Sequence, residues 1–355
     1  RGDSIFVSDQ KGLFKIYSGI NYKILNSLGF NSPVQSFFIN KKNNLFIYSG
    51  IHIYVLDSNL DIKKKHIHSD ALSYVETEDG TIWTFGNRTI CQFNEDGELL
   101  SKQILAAFHR TFTIHDSLFF LAEKTGLQVR NKNLDPIKSF EEFSDYKVTG
   151  LISLNDSSLM VNTQGSGFFI LNTNNWTHKQ FSTEGGFIAN TIYTAIKKGN
   201  QIWLGTESGI VLLDINSILE GVLEYQYWNK KSGLIHNDIK FIAIANQNVW
   251  AFSDVGYSVV SKGVFETPLK KPIPFLKHMT VNDSSSFSRN EKRAIVLPYD
   301  NASLGIHIGY LSFRNQDILS RYRIEKNSPW EYTRERSFQF TSLAPGNYSF
   351  ELRSE

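Results

Sequence analysis

The chain has 355 residues, of which 41% are hydrophobic and 14% aromatic, with 27 Phe and 15 Tyr. Its 37 basic and 35 acidic residues leave a formal charge of +2, which offers no electrostatic ground for nucleic-acid contact. A single cysteine, Cys91, excludes an internal disulfide and any multi-cysteine metal site, and no apolar run reaches the length of a membrane-spanning helix.

This length suits one large or two ordinary domains, and the aromatic bias favours strands over helices. Arg1-Gly2-Asp3 invites an integrin reading, but three residues carry almost no information. Because position 1 is Arg rather than Met, the chain is expected to be processed or truncated, with any signal or anchor outside it.

From there one pattern recurs: an apolar strand, a short turn rich in Gly or polar residues, and a second apolar strand. It reads SIFVSDQKGLFKI (4–16), NLFIYSGIHIYVLD (44–57), TIWTFGNRTICQF (81–93) and SLFFLAEKTGLQVR (117–130). It continues as SLMVNTQGSGFFIL (158–171), QIWLGTESGIVLL (201–213) and NVWAFSDVGYSVV (248–260). Side chains of a strand alternate between faces, so Ile202 and Leu204 should point one way and Trp203 the other. Gly209 is free to take positive φ where the chain reverses.

The residues in the Trp203 slot are Phe6, Phe46, Trp83, Phe119, Met160, Trp203 and Trp250. Their spacing of about 40 residues is the period of a four-stranded propeller blade. Alternating segments such as VQSFFIN (34–40), TIYTAIK (191–197) and DIKFIAIA (238–245) would supply inner strands. NEDGE (94–98) and KKGNQ (197–201) read as turns, and only NSILEG (216–221) could make a short helical turn. The expected architecture is therefore all-β, a seven-bladed β-propeller over residues 1–272 whose first blade lacks its inner strand. A ring that closes leaves few exposed sheet edges.

Beyond Pro272 the period stops. Strands are expected at 275–283, 293–299, 303–313, 320–325, 337–343 and 346–354, which read as an immunoglobulin-like β-sandwich over 273–355, incomplete at its last strand.

Signatures of catalysis are sparse: there is no HExxH, GxSxG, P-loop or paired cysteine. No catalytic residue, cofactor or metal site is assigned. Gly165-Ser166-Gly167 sits in a hairpin loop, where turn geometry accounts for it. His66 and His68 in KKKHIH (63–68) could hold a metal, but a solvated loop at the outer edge of a blade is the simpler reading. EDGTIW (78–83) is similar to the Asp-box turn of sialidase-like propellers, which is structural.

Propeller geometry places two sets of loops on one rim, and loops on rigid scaffolds commonly carry recognition. The first set holds Lys11, His52, Arg88, Lys124, Gln164, Glu207, Asp254 and Tyr257, and the second Arg110, Asn190, His236 and Asn237. The ligand-binding candidates are Arg88, Lys124, Glu207, His236, Asp254 and Tyr257. Such a mixed polar and aromatic set suits a polyol such as an oligosaccharide. For each, an exposed or turn-capping side chain is the plain structural reading, and Asn190 and Asn237 stand where a turn cap is expected.

QIWLGTESGIVLLD, FIANTIYTAI and SGLIHNDIKFIAI resemble the repeat of the bacterial two-component regulator propellers. Other copies depart from it, with Phe85-Gly86 lacking the Thr and Phe252-Ser253 replacing Gly-Thr. RYRIEKNSPWEY followed by FTSLAPGNYSFELR resembles the triple-tyrosine domain that follows such propellers. Tyr322, Trp330, Leu343-Ala344-Pro345-Gly346 and Tyr348 fall on its motif, while Ile324 and Phe340 stand where tyrosine is usual.

The resemblance implies the extracytoplasmic sensor region of a membrane-anchored regulator, periplasmic, at the outer face of the inner membrane. It implies a glycan-derived ligand, a homodimer formed through the C-terminal sandwich, and a cytoplasmic output such as a histidine kinase outside this fragment. The fragment itself is read as a non-enzyme. The alternatives are a propeller glycoside hydrolase or lyase with an accessory sandwich, and a protein-binding scaffold.

Overall fold

The computed structural model describes residues 4–9, 12–17, 22–24, 32–67, 71–86, 88–105, 109–245, 247–261, 263–264, 272–282, 285–287, 303–311, 318–325, 327–341 and 344–354. The chain divides into two compact units. The first comprises Arg1–Thr183, Phe187–Tyr227 and Ile235–Glu266; the second comprises Thr267–Glu355 with Glu184–Gly186 and Trp228–Leu234.

Among the described residues up to Ser261, seven antiparallel sheets follow one another in chain order. Sheet one joins β1 (Ser4–Asp9), β2 (Gly12–Tyr17) and β3 (Tyr22–Ile24). Sheet two joins β4 (Val34–Ile39), β5 (Leu45–Ser49), β6 (His52–Leu56) and β7 (Ile62–Ile67). Sheet three joins β8 (Ser73–Glu76), β9 (Ile82–Phe85), β10 (Thr89–Phe93) and β11 (Leu99–Ile104). Sheet four joins β12 (His109–His115), β13 (Leu118–Glu123), β14 (Gly126–Arg130) and β15 (Pro136–Phe140).

Sheet five joins β16 (Lys147–Asn155), β17 (Ser158–Gln164), β18 (Phe168–Asn172) and β19 (His178–Phe181). Sheet six joins β20 (Ile192–Lys198), β21 (Gln201–Thr206), β22 (Gly209–Asp214) and β23 (Tyr225–Trp228). The short helix α1 (Ile215–Leu219) precedes β23, with the Asp214 carboxylate accepting from Ser217 N at its start. Sheet seven joins β24 (Phe241–Ala245), β25 (Asn248–Ser253) and β26 (Gly256–Ser261).

First strands of successive sheets are neighbours: β4 with β8, β8 with β12, β12 with β16, β16 with β20, and β20 with β24. In sheet one, expected to lack its inner strand, β1 lies beside both β24 and β4, the place a first strand holds in the other sheets.

The two middle strands of sheets two to six are covered on both faces, so they read as near-continuous apolar runs rather than alternations. β5, β13, β17, β21 and β22 are buried along almost their whole length, whereas the fourth strands β7, β11, β15 and β19 are mostly exposed. Strand parity divides the buried side chains between two neighbouring sheets. Leu159 and Val161 pack with Phe120, Ala122 and Val129 of sheet four, while Met160 between them packs with Ile202, Leu204 and Val211 of sheet six. Ile202 and Leu204 therefore face sheet five, as alternation requires, and Trp203 is fully buried away from that cluster.

Parity also corrects the sequence alignment of sheet four. Phe119 faces back onto Phe85 and Ile90 of sheet three, and it is Phe120 that faces forward with Phe46, Trp83 and Met160. A one-residue slip exchanges the two faces of a strand.

The second unit holds two sheets. One orders β28 (Ser285–Phe287), β27 (Ile273–Val281), β29 (Ser303–Leu311) and β32 (Ser337–Thr341); the other orders β31 (Glu331–Thr333), β30 (Ser320–Arg323) and β33 (Glu351–Ser354). Their inner faces share one core, in which Ile306, Ile308 and Phe338 pack with Leu276, Met279, Tyr322, Phe350 and Leu352. The Tyr322 hydroxyl donates to Glu331 at 2.5 Å, and that bond together with burial pushes its pKa up to about 12.

Trp330 lies on the opposite face from Tyr322, against the guanidinium groups of Arg321, Arg323 and Arg353 at 4.6–5.1 Å. Tyr348 sits beside the Pro345-Gly346 turn and donates to Ala344 O at 2.9 Å. The strand expected at 293–299, and Leu343, lie outside the described residues.

Candidate functional site

The hairpin turns of the first unit reveal what the repeated Gly-Thr punctuation does. In sheet six Thr206 Oγ1 donates to Gly209 O at 2.9 Å and accepts from Ser208 N at 3.1 Å, so one hydroxyl closes the turn. Thr163 does the same in sheet five, donating to Gly167 O at 2.7 Å, and Ser253 in sheet seven, donating to Gly256 O at 2.9 Å. Gly209, Gly167 and Gly256 all have positive φ. Gly205 is required for another reason: a Cβ there would lie 2.7 Å from Ile239 O and from Thr194 Cγ2, so the chain approaching sheet seven could not pass.

That close approach builds a polar corner between sheets six and seven. Ile239 N donates to Thr206 O at 2.9 Å, which pins residues 236–240 to the sheet-six hairpin. Glu207, the next residue of that hairpin, accepts from Asn190 N and Thr191 N at 2.7 Å each. On the other side, Asn190 O accepts from Gly165 N and Gly167 N of the sheet-five hairpin. Asn190 Oδ1 also accepts from Thr183 N at 2.9 Å.

Beside this clamp, Lys240 Nζ meets Asp238 Oδ2 at 2.7 Å and lies 3.7 Å from the centre of the Tyr193 ring. His236 Nδ1 accepts from Asp238 N at 3.1 Å. Burial pushes the Asp238 carboxyl up, but hydrogen bonds from Lys240 and Tyr193 outweigh it and hold the group below its usual range. Lys240 is held above its usual range by the same partners despite burial.

Of the six candidates, Glu207 and His236 lie on the two segments that the Ile239–Thr206 bond joins at this corner. Ile235 N, next to His236, donates to Ser258 Oγ; Tyr257 alternates with Ser258 along β26 and so points to the other face of sheet seven, away from this corner. Tyr257 is 49% exposed and packs on Trp250 and Phe252, with ring centres 5.5 and 5.8 Å away. Asp254 is exposed in the turn between β25 and β26. Arg88 in sheet three and Lys124 in sheet four are exposed in turns of other sheets. Lys11 and the side chain of Arg110 lie outside the described residues.

Tyr193, Asp238 and Lys240 escaped the sequence reading because 238–245 reads as one alternating strand. The ladder of sheet seven begins only at Phe241, since Ile239 bonds across to sheet six. The other sequence motifs settle into structure. His66 lies on β7, not in a loop, and its Nε2 is 2.8 Å from Gly97 O; Lys64 pairs with Glu98. Asp79 accepts from Thr77 Oγ1 at 2.5 Å and Thr81 N at 3.1 Å, which makes the Asp-box a turn. No group of three or more His, Cys, Asp or Glu fit for a metal occurs among the described residues.

No family model matches this chain, and no curated protein matches it. Two crystal structures of the extracellular domain of BT4673 from B. thetaiotaomicron, one described as a one component system and the other as a hybrid two component system, resemble it with TM-scores of 0.56 and 0.55 at 14% identity. Each match covers 99% of this chain and 53% of that one, so the chain spans about half the length of those structures. Streptogramin B lyase (TM-score 0.56, 10% identity) and the WD40 β-propeller domain of Doa1 (TM-score 0.55, 11% identity) each align with 72% of this chain and cover 89% and 88% of their own. The fold of the first unit is thus that of a β-propeller. No helix among the described residues is long and apolar enough to cross a membrane.

Proposed function

We propose that this chain is the extracytoplasmic ligand-sensing region of a membrane-anchored two-component regulator, located in the periplasm. The first unit acts as a seven-bladed propeller and the second as an immunoglobulin-like module of the triple-tyrosine type. The single observation that carries the reading is the likeness to the BT4673 extracellular domain across both units, over 99% of the chain. The cycle of first strands from β1 through β24 supports the blade number, and the two facing sheets of the second unit support the sandwich.

The ligand is glycan-derived and is taken on the propeller rim at the corner of Tyr193, His236, Asp238 and Lys240. Aromatic faces beside charged hydrogen-bonding groups suit a hydroxyl-rich ring. Carboxylates at this corner are poor candidates for general acid–base work: Glu207 is held by two backbone N–H groups and Asp238 by Lys240. The output is a change in how two copies pair through the second unit, which requires a ligand that favours one arrangement over the other.

Small-angle scattering of the 1–355 chain with and without an oligosaccharide that binds it tests this. The expected result is a ligand-dependent change in particle mass or dimension; identical monomers at high concentration in both conditions would contradict it.

A further inference from the structure

The outer face of the sheet containing β27 and β29 carries a feature that the rim does not need. Core residues of β29 are Leu304, Ile306 and Ile308, so Gly305, His307 and Gly309 point away from the core. Two glycines flanking one histidine leave the middle strand nearly bare on that face. The Phe275 ring leans into the space above Gly309, where a Cβ would lie 2.7 Å from Cε2.

A bulge between Leu276 and His278 displaces Lys277 and brings His278 opposite His307. Their rings stack with centres 4.1 Å apart and planes 18° apart. The result is a cavity of about 360 Å³ lined by Phe275, Lys277, His278, His307, Tyr310 and Arg336, among others. That volume falls within the range of small-molecule sites, roughly 300–1,000 Å³.

The lining contains two permanent cations and two imidazoles, and no carboxylate. Neither Lys277 nor Arg336 has an ion-pair partner among the described residues. A cavity with uncompensated positive charge attracts an oxyanion, which Arg can grip with two parallel N–H groups and to which each imidazole offers an N–H. A bare inorganic ion would leave the Phe275 side of the cavity unused, whereas a sugar ring can lie on an aromatic face.

We infer that this cavity binds a saccharide unit bearing an oxyanion, either a uronic carboxylate or a sulfate ester. Preference for an anion follows from the lining alone; the choice of a saccharide as carrier rests on the glycan reading above. Lys277 and Arg336 hold the oxyanion, His278 and His307 donate to it, and Phe275 supports the ring.

Calorimetric titration of the 1–355 chain tests this with four probes at matched ionic strength: a galacturonate oligomer, a sulfated oligosaccharide, a neutral oligosaccharide and sodium sulfate. One acidic saccharide is expected to bind at least tenfold more tightly than the neutral one and than sulfate. The double variant Lys277→Gln/Arg336→Gln should lose at least tenfold of that affinity while keeping the wild-type melting midpoint, since both side chains are exposed. The charge control Lys132→Gln, in an exposed turn of the first unit, should leave it unchanged. Equal binding of acidic and neutral saccharides, sulfate binding as tightly as either, or a double variant that binds like wild type would each overturn the inference. A neutral saccharide whose binding is abolished only by Lys240→Met would leave the rim reading standing while this one fell.

Discussion

The two units place their polar side chains differently. In the propeller, polar residues at the turns bond to backbone: Thr206 closes its own hairpin and Glu207 clamps residues 190 and 191. Asp57, Asn94 and Asn131 likewise cap turns two and four residues ahead. On the second unit's outer sheet face, Lys277, His278, His307 and Arg336 stand beside an open cavity instead. A polar residue in a repeat's loop is therefore first a turn-closing group, and a cluster on a strand face carries more information about ligands.

The largest test of this contrast uses one substitution in both units. Gly205→Val would drive side-chain atoms into the Ile239 carbonyl, a backbone neighbour, and should cost about 3 kcal/mol or more by chemical denaturation. Gly309→Val meets the Phe275 ring, which can rotate, so it should cost about 1 kcal/mol while filling the cavity floor. Equal costs would erase the distinction.

Next, Glu207→Ala removes an acceptor from two main-chain N–H groups and should destabilise the chain by about 2 kcal/mol. Unchanged stability with lost ligand affinity would return Glu207 to the binding set.

A smaller effect is expected at His115, which is buried on β12 with Ser153 Oγ 2.8 Å from Nδ1 and Thr173 Oγ1 3.3 Å from Nε2. Burial holds its pKa below 6.5, so the unfolded chain takes up the proton first. Stability should be full above pH 6.5 and decline as pH falls through the folded-state pKa, and His115→Gln should flatten that limb of a pH series of denaturation midpoints.

The smallest effect belongs to the rim pair. Lys240→Met should cost about 0.5 kcal/mol, because the pair is partly exposed and screened. The depressed Asp238 and raised Lys240 make that contribution present between their unfolded values of 3.8 and 10.5, and lost beyond either end. A loss above 2 kcal/mol would make the pair a structural element instead.

Much of the propeller is legible in the sequence because each hairpin repeats the same turn chemistry, and Gly205, Thr206 and Gly209 each have a distinct physical reason to be present. Phe119-Phe120 misleads because two adjacent aromatics give no parity signal. Glu207 and His236 are visible as loop residues, but the bond from Ile239 to Thr206 that joins them spans two sheets and leaves no local trace. The cavity of the second unit depends on a bulge at Lys277 and a cross-strand pairing of His278 with His307, which a linear pattern does not reveal.

The central claim, a sensor that recognises a saccharide without altering it, is tested most directly by a melting screen of the 1–355 chain against an oligosaccharide panel, with the saccharides analysed afterwards. The account predicts a saccharide that raises the midpoint in a concentration-dependent way and is recovered intact. A panel in which the responsive saccharide is cleaved, or in which none shifts the midpoint, would contradict it.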